Sequence, residues 1–258
     1  MTGLIIFFSC IFGLIIGSFL NAVIYRLFQG KSLGGFSACP HCKHRLAPMD
    51  LIPVVSFVLL KGKCRYCEKK ISIQYPLVET ATAALFALTT QHYLQALPGY
   101  GGQNIIELLL IFGSVASLLA IFVFDLKYYL IPDVLVLAGL ICAIVWRFFF
   151  LEEILPEVFG AVIVSGFFGL MYFLSQGKWI GLGDVKLGIF LGFFLGAKLS
   201  LVMLLVAYVS GALVGVVLIL LKKRTLAGIL PFGTFLTLST FIVYLWGQSI
   251  LDWYLNLL

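Results

Sequence analysis

The chain has 258 residues, of which 62% are hydrophobic and 11% charged, and its net charge is +6. Soluble domains carry about 25% charged residues, so this composition excludes a water-soluble globular protein and points to a bilayer. The positive balance does not call for nucleic acid as a partner, because basic residues in a membrane protein set its orientation and meet anionic lipid headgroups.

A membrane-crossing helix takes about 20 mainly apolar residues. Taken in chain order, the stretches 4–25, 76–96, 104–124, 132–150, 157–175, 185–197, 199–221 and 229–250 meet or approach that length. The expected fold class is therefore an all-α polytopic membrane protein of about eight transmembrane helices, the sixth being short. The first stretch follows Met1-Thr2-Gly3 with no basic residue before it, and reads as a retained span rather than a cleavable signal. With an outward N-terminus, all of the seventeen Lys and Arg except Arg147 and Lys198 fall on one side, Lys222, Lys223 and Arg224 among them. By the positive-inside rule that side is cytoplasmic, and the sixth span is needed to keep it so.

Three regions follow: a first helix over 1–25, a cytoplasmic loop domain over 26–75, and a membrane domain over 76–258. The loop carries Cys39-Pro40-His41-Cys42 and Cys64-Arg65-Tyr66-Cys67, with twenty-one residues between the pairs. Two C-x2-C turns offer four thiolates, the donor set of a closed, structural zinc site with no open position for hydrolysis. Free or redox-active thiols are the competing reading; a disulfide framework does not suit the reducing cytosol. His41 and His44 are unnecessary as ligands, and Cys10 and Cys142 inside apolar spans act as small hydrophobes. A fifty-residue loop has little core of its own, so metal ligation would supply its folding energy.

The eleven acidic residues bear individual inspection. Glu152, Glu153, Glu157 and Asp252 belong to outer segments, where solvation accounts for them; Asp50 and Glu68 have ion-pair partners at hand in the basic loop. Glu107 opens the third span, and Asp133 follows Pro132 at the start of the fourth, both at the positive end of a helix. Glu79, one turn into the second span, either pairs with a basic loop residue or lines a cavity. Asp125 closes the third span, where the macrodipole is unfavourable to a carboxylate and no structural account suffices. Asp184 stands in Gly181-Leu182-Gly183-Asp184 at the start of the sixth span. An N-cap role explains it in part, but the two glycines also permit a close backbone approach. Asp125 and Asp184 thus lie at one depth on one side, placed to share a proton as a catalytic pair. A transporter with acids on its ion path would share this feature and would lose solute flux, with no peptide product, on Asp125→Asn.

Together these motifs resemble a known family. Gly17-Ser18-Phe19-Leu20-Asn21 through Arg26-Leu27, the two C-x2-C pairs, Asp50-Leu51-Ile52-Pro53, Tyr75-Pro76-Leu77-Val78-Glu79, Asp125-Leu126 through Ile131-Pro132-Asp133, Gly181 to Lys186 and Leu230-Pro231-Phe232-Gly233 are similar, in order and along almost the whole chain, to the bacterial type IV prepilin leader peptidase/N-methyltransferases. Thr234 stands where relatives often have proline. The resemblance implies cleavage of prepilin or pseudopilin leaders after a glycine at the cytoplasmic membrane face. It further implies methylation of the new N-terminus by S-adenosylmethionine, catalytic aspartates at Asp125 and Asp184, and zinc on Cys39, Cys42, Cys64 and Cys67. The sequence itself shows no glycine-rich dinucleotide fingerprint, so the methyl-transfer region is assigned by resemblance alone, to the 26–75 loop.

Overall fold

A computed structural model describes residues 2–96, 104–150, 154–221 and 230–256; Glu152, Glu153 and the Lys222-Lys223-Arg224 run lie outside them. Helices account for most of the described chain, which forms two compact units, Met1–Gln103 and Asn104–Leu258.

In the first unit α1 (Thr2–Phe28) packs antiparallel on α3 (Gln74–Ala96). Glycines bring the two backbones together: a Cβ added at Gly13 would meet the Ala83 Cα at 2.6 Å, and one at Gly17 the Glu79 Cα at 2.6 Å. Within a membrane, where apolar burial does not drive helix association, small residues four apart permit the close packing that does. Polar bonds fix the register. Thr90 Oγ1 donates to Ser9 Oγ at 2.8 Å, and Asn21 Nδ2 donates to the Tyr75 carbonyl at 3.0 Å. Between these helices run the cysteine loop, a 3-10 turn at Pro48–Leu51 and the short α2 (Val55–Leu59).

The second unit holds α4 (Ile105–Tyr128), α5 (Asp133–Phe150), α6 (Leu155–Ser175), α7 (Leu182–Leu220) and α8 (Phe232–Leu255). Asn104 caps α4, its side chain accepting the Ile106 N–H at 3.0 Å. With α1, these five are the six described helices long and apolar enough to cross a bilayer. α3 has the length but is more polar, with Glu79, Thr82, Thr89 and Thr90 buried along it.

At 39 residues α7 is about twice what a bilayer needs, and its helical geometry breaks at Gly196 (φ 77°, ψ 170°). Its neighbours show that the chain turns back there. Gly183 lies against Ile131, as does Gly233 at the start of α8, while Phe194 stacks on Tyr244 further along α8 at 5.1 Å. Past the break the order inverts: Gly247 meets Leu199, and Gly211 meets Phe232 and Phe235. The two limbs are therefore separate antiparallel crossings, corresponding to the stretches expected at 185–197 and 199–221. The first limb remains short.

Charge at the turn departs from expectation. Glu157, read as a solvated acid, is buried on α6 and ion-paired to Arg147 at 3.2 Å. Arg147 Nη2 donates to the Phe194 carbonyl at 2.6 Å, an acceptor freed where α7 breaks. Glu107 also does more than meet a helix dipole, since it accepts the Trp146 indole N–H at 3.0 Å. A buried cation needs such partners, and the linear sequence does not reveal them.

The conformation at Gly196 is one that essentially only glycine adopts, at a cost of about 1–3 kcal/mol for other residues. Gly196→Ala is expected to lower the thermal midpoint of the protein in detergent, whereas Gly3→Ala, with open space around its Cβ, should leave it unchanged.

Candidate active site and metal centre

Asp125 lies in the last turn of α4 and is buried. Beyond it Tyr129 takes a left-handed conformation (φ 56°) and returns its N–H to the Asp125 carbonyl at 2.8 Å, ending the helix. The carboxylate that the sequence left without a structural account has one here. Its Oδ2 accepts the Thr234 N–H at 2.8 Å, so it sits on the free amides of the first turn of α8, whose positive dipole end offsets the negative end of α4. Gly233 makes this approach possible: a Cβ there would lie 2.9 Å from Asp125 Oδ2 and 3.1 Å from Ile131 Cδ1.

Asp184 occupies the first turn of α7, and Gly181 rather than Asp184 is the N-cap. Its Oδ2 accepts the Gly181 N–H at 3.3 Å, so it does serve the helix start, reaching back from the third position. Ile131, on the link between α4 and α5, wedges between the two glycine motifs. It lies 3.2 Å from a Cβ built on Gly183, next to Asp184, and 3.1 Å from one built on Gly233, next to Asp125. The two carboxylates come from separate helices, α4 and α7, to one end of the helix bundle, within electrostatic reach of each other. Asp125 is the more enclosed; Asp184 is only partly buried. Phe232 and Tyr208, stacked at 5.0 Å, form an aromatic wall nearby, and Tyr208 also feels the charge of Asp184.

Asp133 stands apart from the pair. It opens α5 and meets Lys186 Nζ at 2.7 Å in a solvent-exposed ion pair. Sequence reasoning did not find Gly233, Thr234 or Ile131 as supports of Asp125. The available signal was Leu230-Pro231-Phe232-Gly233, a glycine placed just inside a helix start with no turn to justify it.

In the first unit the two cysteine turns have one design. Cys39 and Cys64 each receive an amide from four residues on, Lys43 and Glu68, at 3.0 and 2.9 Å, and each donates its own amide to the carbonyl of His44 or Lys69. Lys43 and Glu68 both adopt positive φ (60° and 56°). The four sulfurs lie within 4.8 Å of one another, and Cys39 Sγ is 3.9 Å from Cys67 Sγ. A tetrahedral zinc with bonds of about 2.3 Å spaces its sulfurs about 3.8 Å apart, so the donor set fits. Burial raises the Cys39 thiol, but the amides of Cys42 and His41 outweigh it and lower it to about 7. At Cys67 the Lys69 amide is outweighed by burial and by the other sulfurs, which push the thiol up to about 11. Such a cluster gives up its last protons to a cation. His44 is no competitor for the metal, since its ring stacks on Tyr66 with centroids 3.7 Å apart. Asp50 ties the second turn down, accepting Arg65 Nε at 2.7 Å and Tyr66 Oη at 3.1 Å. Burial raises its carboxyl, yet those bonds and the Ala47 amide hold it below the usual range.

Glu79 has no basic partner among the described residues: its Oε2 accepts the Val54 N–H at 2.7 Å and its carboxylate is also bonded by Ser18.

Residues 11–93 match the bacterial peptidase A24 N-terminal domain, and residues 111–216 match the type IV leader peptidase family. A prepilin leader peptidase/N-methyltransferase of Aeromonas hydrophila is 33% identical over 97% of this chain and 94% of its own length. Those of Pseudomonas aeruginosa (32%; 96% and 92%) and Legionella pneumophila (31%; 95% and 93%) are similarly related. No solved structure matches. Two consecutive domain matches and full-length likeness agree with the helical bundle and the cysteine loop: the chain belongs to the type IV leader peptidase family of bacterial multi-pass membrane proteins.

Proposed function

We propose that this protein cleaves the leader from type IV prepilins or pseudopilins and then N-methylates the exposed residue, with Asp125 and Asp184 as the catalytic pair. The observation that carries the peptidase half is the convergence of those two carboxylates at one end of the second unit. One carboxylate takes a proton from water as it attacks the scissile carbonyl and later gives that proton to the leaving nitrogen; the other, protonated, donates to the carbonyl oxygen and recovers its proton when the tetrahedral intermediate collapses. The Thr234 amide fixes the direction in which Asp125 presents its free oxygen. The proposed zinc takes no part in that step, since four cysteines close its coordination sphere.

The cytoplasmic membrane is the proposed location, with the dyad facing the cytoplasm. Lys127, Lys178 and Lys186 lie at the dyad end of the second unit, and Arg147 and Lys198 at the other, which supports this orientation. A prepilin is a membrane helix with a cationic leader, so its cleavage point after a glycine would reach the membrane boundary where the pair sits. S-adenosylmethionine, when bound, supplies an electrophilic methyl on a sulfonium centre to the freed amine. The first unit is the proposed site of that reaction, with zinc on Cys39, Cys42, Cys64 and Cys67 holding its loop in shape.

Incubation of the purified enzyme with a prepilin and labelled methyl donor, read by mass, tests both activities. Asp125→Asn and Asp184→Asn should each reduce leader removal by about 10²–10⁴-fold at unchanged protein level. Asp133→Asn, which breaks only a solvent-exposed ion pair, should have little effect. The reverse ranking would exclude the assigned pair. Gly233→Ala should push the Asp125 carboxylate off the α8 amides and lower the cleavage rate by about a hundredfold, with peptide binding retained. Cys39→Ser should lower bound zinc, measured by metal analysis, and expose the loop to proteolysis; zinc equal to that of the unaltered protein would dismiss the structural metal.

A further inference from the structure

Several motifs of the first unit take no part in the peptidase pair, yet they converge. A cavity of about 400 Å³ lies between the C-terminal half of α1 and the following loop, within the range typical of small-molecule sites, about 300–1,000 Å³. Ser18, Phe19, Ala22 and Arg26 line it from one face of α1, and Gly35 and Pro53 close it from the loop.

Arg26 lines one end and Glu79 stands behind Ser18 at the other, each without an opposite charge paired to it among the described residues. At one end the Arg26 guanidinium donates to the carbonyls of Leu33, Gly35 and Phe36. Those bonds hold the loop in place and leave its full positive charge, for no acid among the described residues pairs with it. At the other end, behind Ser18, stands Glu79, 6% exposed and bonded by Ser18 and the Val54 amide. No Lys or Arg among the described residues pairs with it. A buried carboxylate without a counter-ion is costly. The bond from Val54 also holds that β-branched residue at φ 60°, ψ −47°, an outlier conformation of the kind that collects at ligand sites. Strain and an unmatched charge therefore meet at the rim beside Pro53.

A cavity with a cation at one end, a buried carboxylate behind the Ser18 hydroxyl at the other and an apolar and aromatic wall between suits a ligand bearing a carboxylate and a positive centre. We propose that it binds the S-adenosylmethionine of the methylation reaction, with the carboxylate toward Arg26 and the sulfonium toward Glu79. This rests on the methyltransferase reading above and adds the place, which neither the cysteine turns nor any glycine-rich fingerprint supplies.

The test is equilibrium binding of radiolabelled S-adenosylmethionine and S-adenosylhomocysteine to the full-length protein in detergent, with zinc content as the check on folding. Ala22→Leu fills the cavity from the α1 side and should weaken both ligands by about tenfold or more, the equivalent of about 1.4 kcal/mol. Glu79→Gln keeps the shape and hydrogen-bonding reach but removes the charge. It should weaken the cationic sulfonium ligand several-fold more than the neutral thioether, a difference that mere loosening of the loop would not produce. Unaltered protein that binds the donor, with both variants binding it equally well and retaining zinc, overturns the cavity assignment alone. The same result with a phospholipid released from Ala22→Leu in native mass spectrometry overturns it in favour of a lipid site. Unaltered protein that neither binds the donor nor methylates a prepilin overturns the methyltransferase reading as well.

Discussion

Most of the second unit follows from the need to keep a carboxylate at the wrong end of a helix. Asp125 closes α4, where the helix dipole and burial both oppose a negative charge. The α8 N-terminus answers this by presenting the Thr234 amide to Asp125 Oδ2, and only a glycine at 233 lets the two elements come so close. Once α8 begins there, the α7 limb returning from Gly196 must run beside it, and Asp184 is delivered at the start of the outgoing limb. The turn at Gly196 is in turn held by a buried Arg147 that takes up the Phe194 carbonyl and pairs with Glu157. One unfavourable charge thus has supports at both ends of the bundle.

The first unit addresses a different difficulty, that of folding a short polar loop against a membrane helix pair. Close α1–α3 packing through Gly13 and Gly17 supplies the base. The two cysteine turns give the loop a centre that hydrophobic burial cannot, with Asp50, Arg65 and Tyr66 bracing the second turn. Arg26 and Glu79, one on each helix, reach from the membrane helices into the loop backbone. The loop is therefore tied to both helices by charged side chains whose charges remain unmatched, an arrangement that makes sense if a charged ligand completes it.

Much of this architecture was legible in the sequence because hydrophobic length and cysteine spacing are local signals. The stretches expected at 132–150 and 76–96 differ from α5 and α3 by two residues or fewer. Even the short stretch at 185–197 and its neighbour at 199–221 reappear as two limbs, on either side of the break at Gly196 and the lone Lys198. The proposed pair, Asp125 and Asp184, drew attention in the sequence because both acids stood where helix electrostatics or a plain cap did not fully explain them. What stayed hidden depends on contacts between distant residues. Glu157 looked like a surface acid because its partner Arg147 lies on another helix, and Asp125 looked unsupported because its donors come more than a hundred residues later. Positive φ at Lys43 and Glu68 was equally invisible, since neither residue type announces a left-handed turn.

The central claim is that Asp125, held on the α8 amides, and Asp184 act together on one peptide bond. The most direct measurement is a structure of the Asp184→Asn enzyme with an uncleaved prepilin bound. The account predicts the scissile carbonyl within hydrogen-bonding distance of residue 184, a water between it and Asp125, and the Thr234 amide still bonded to Asp125. A scissile bond seated away from both residues, or a carboxylate of Asp125 turned away from the substrate, would contradict it.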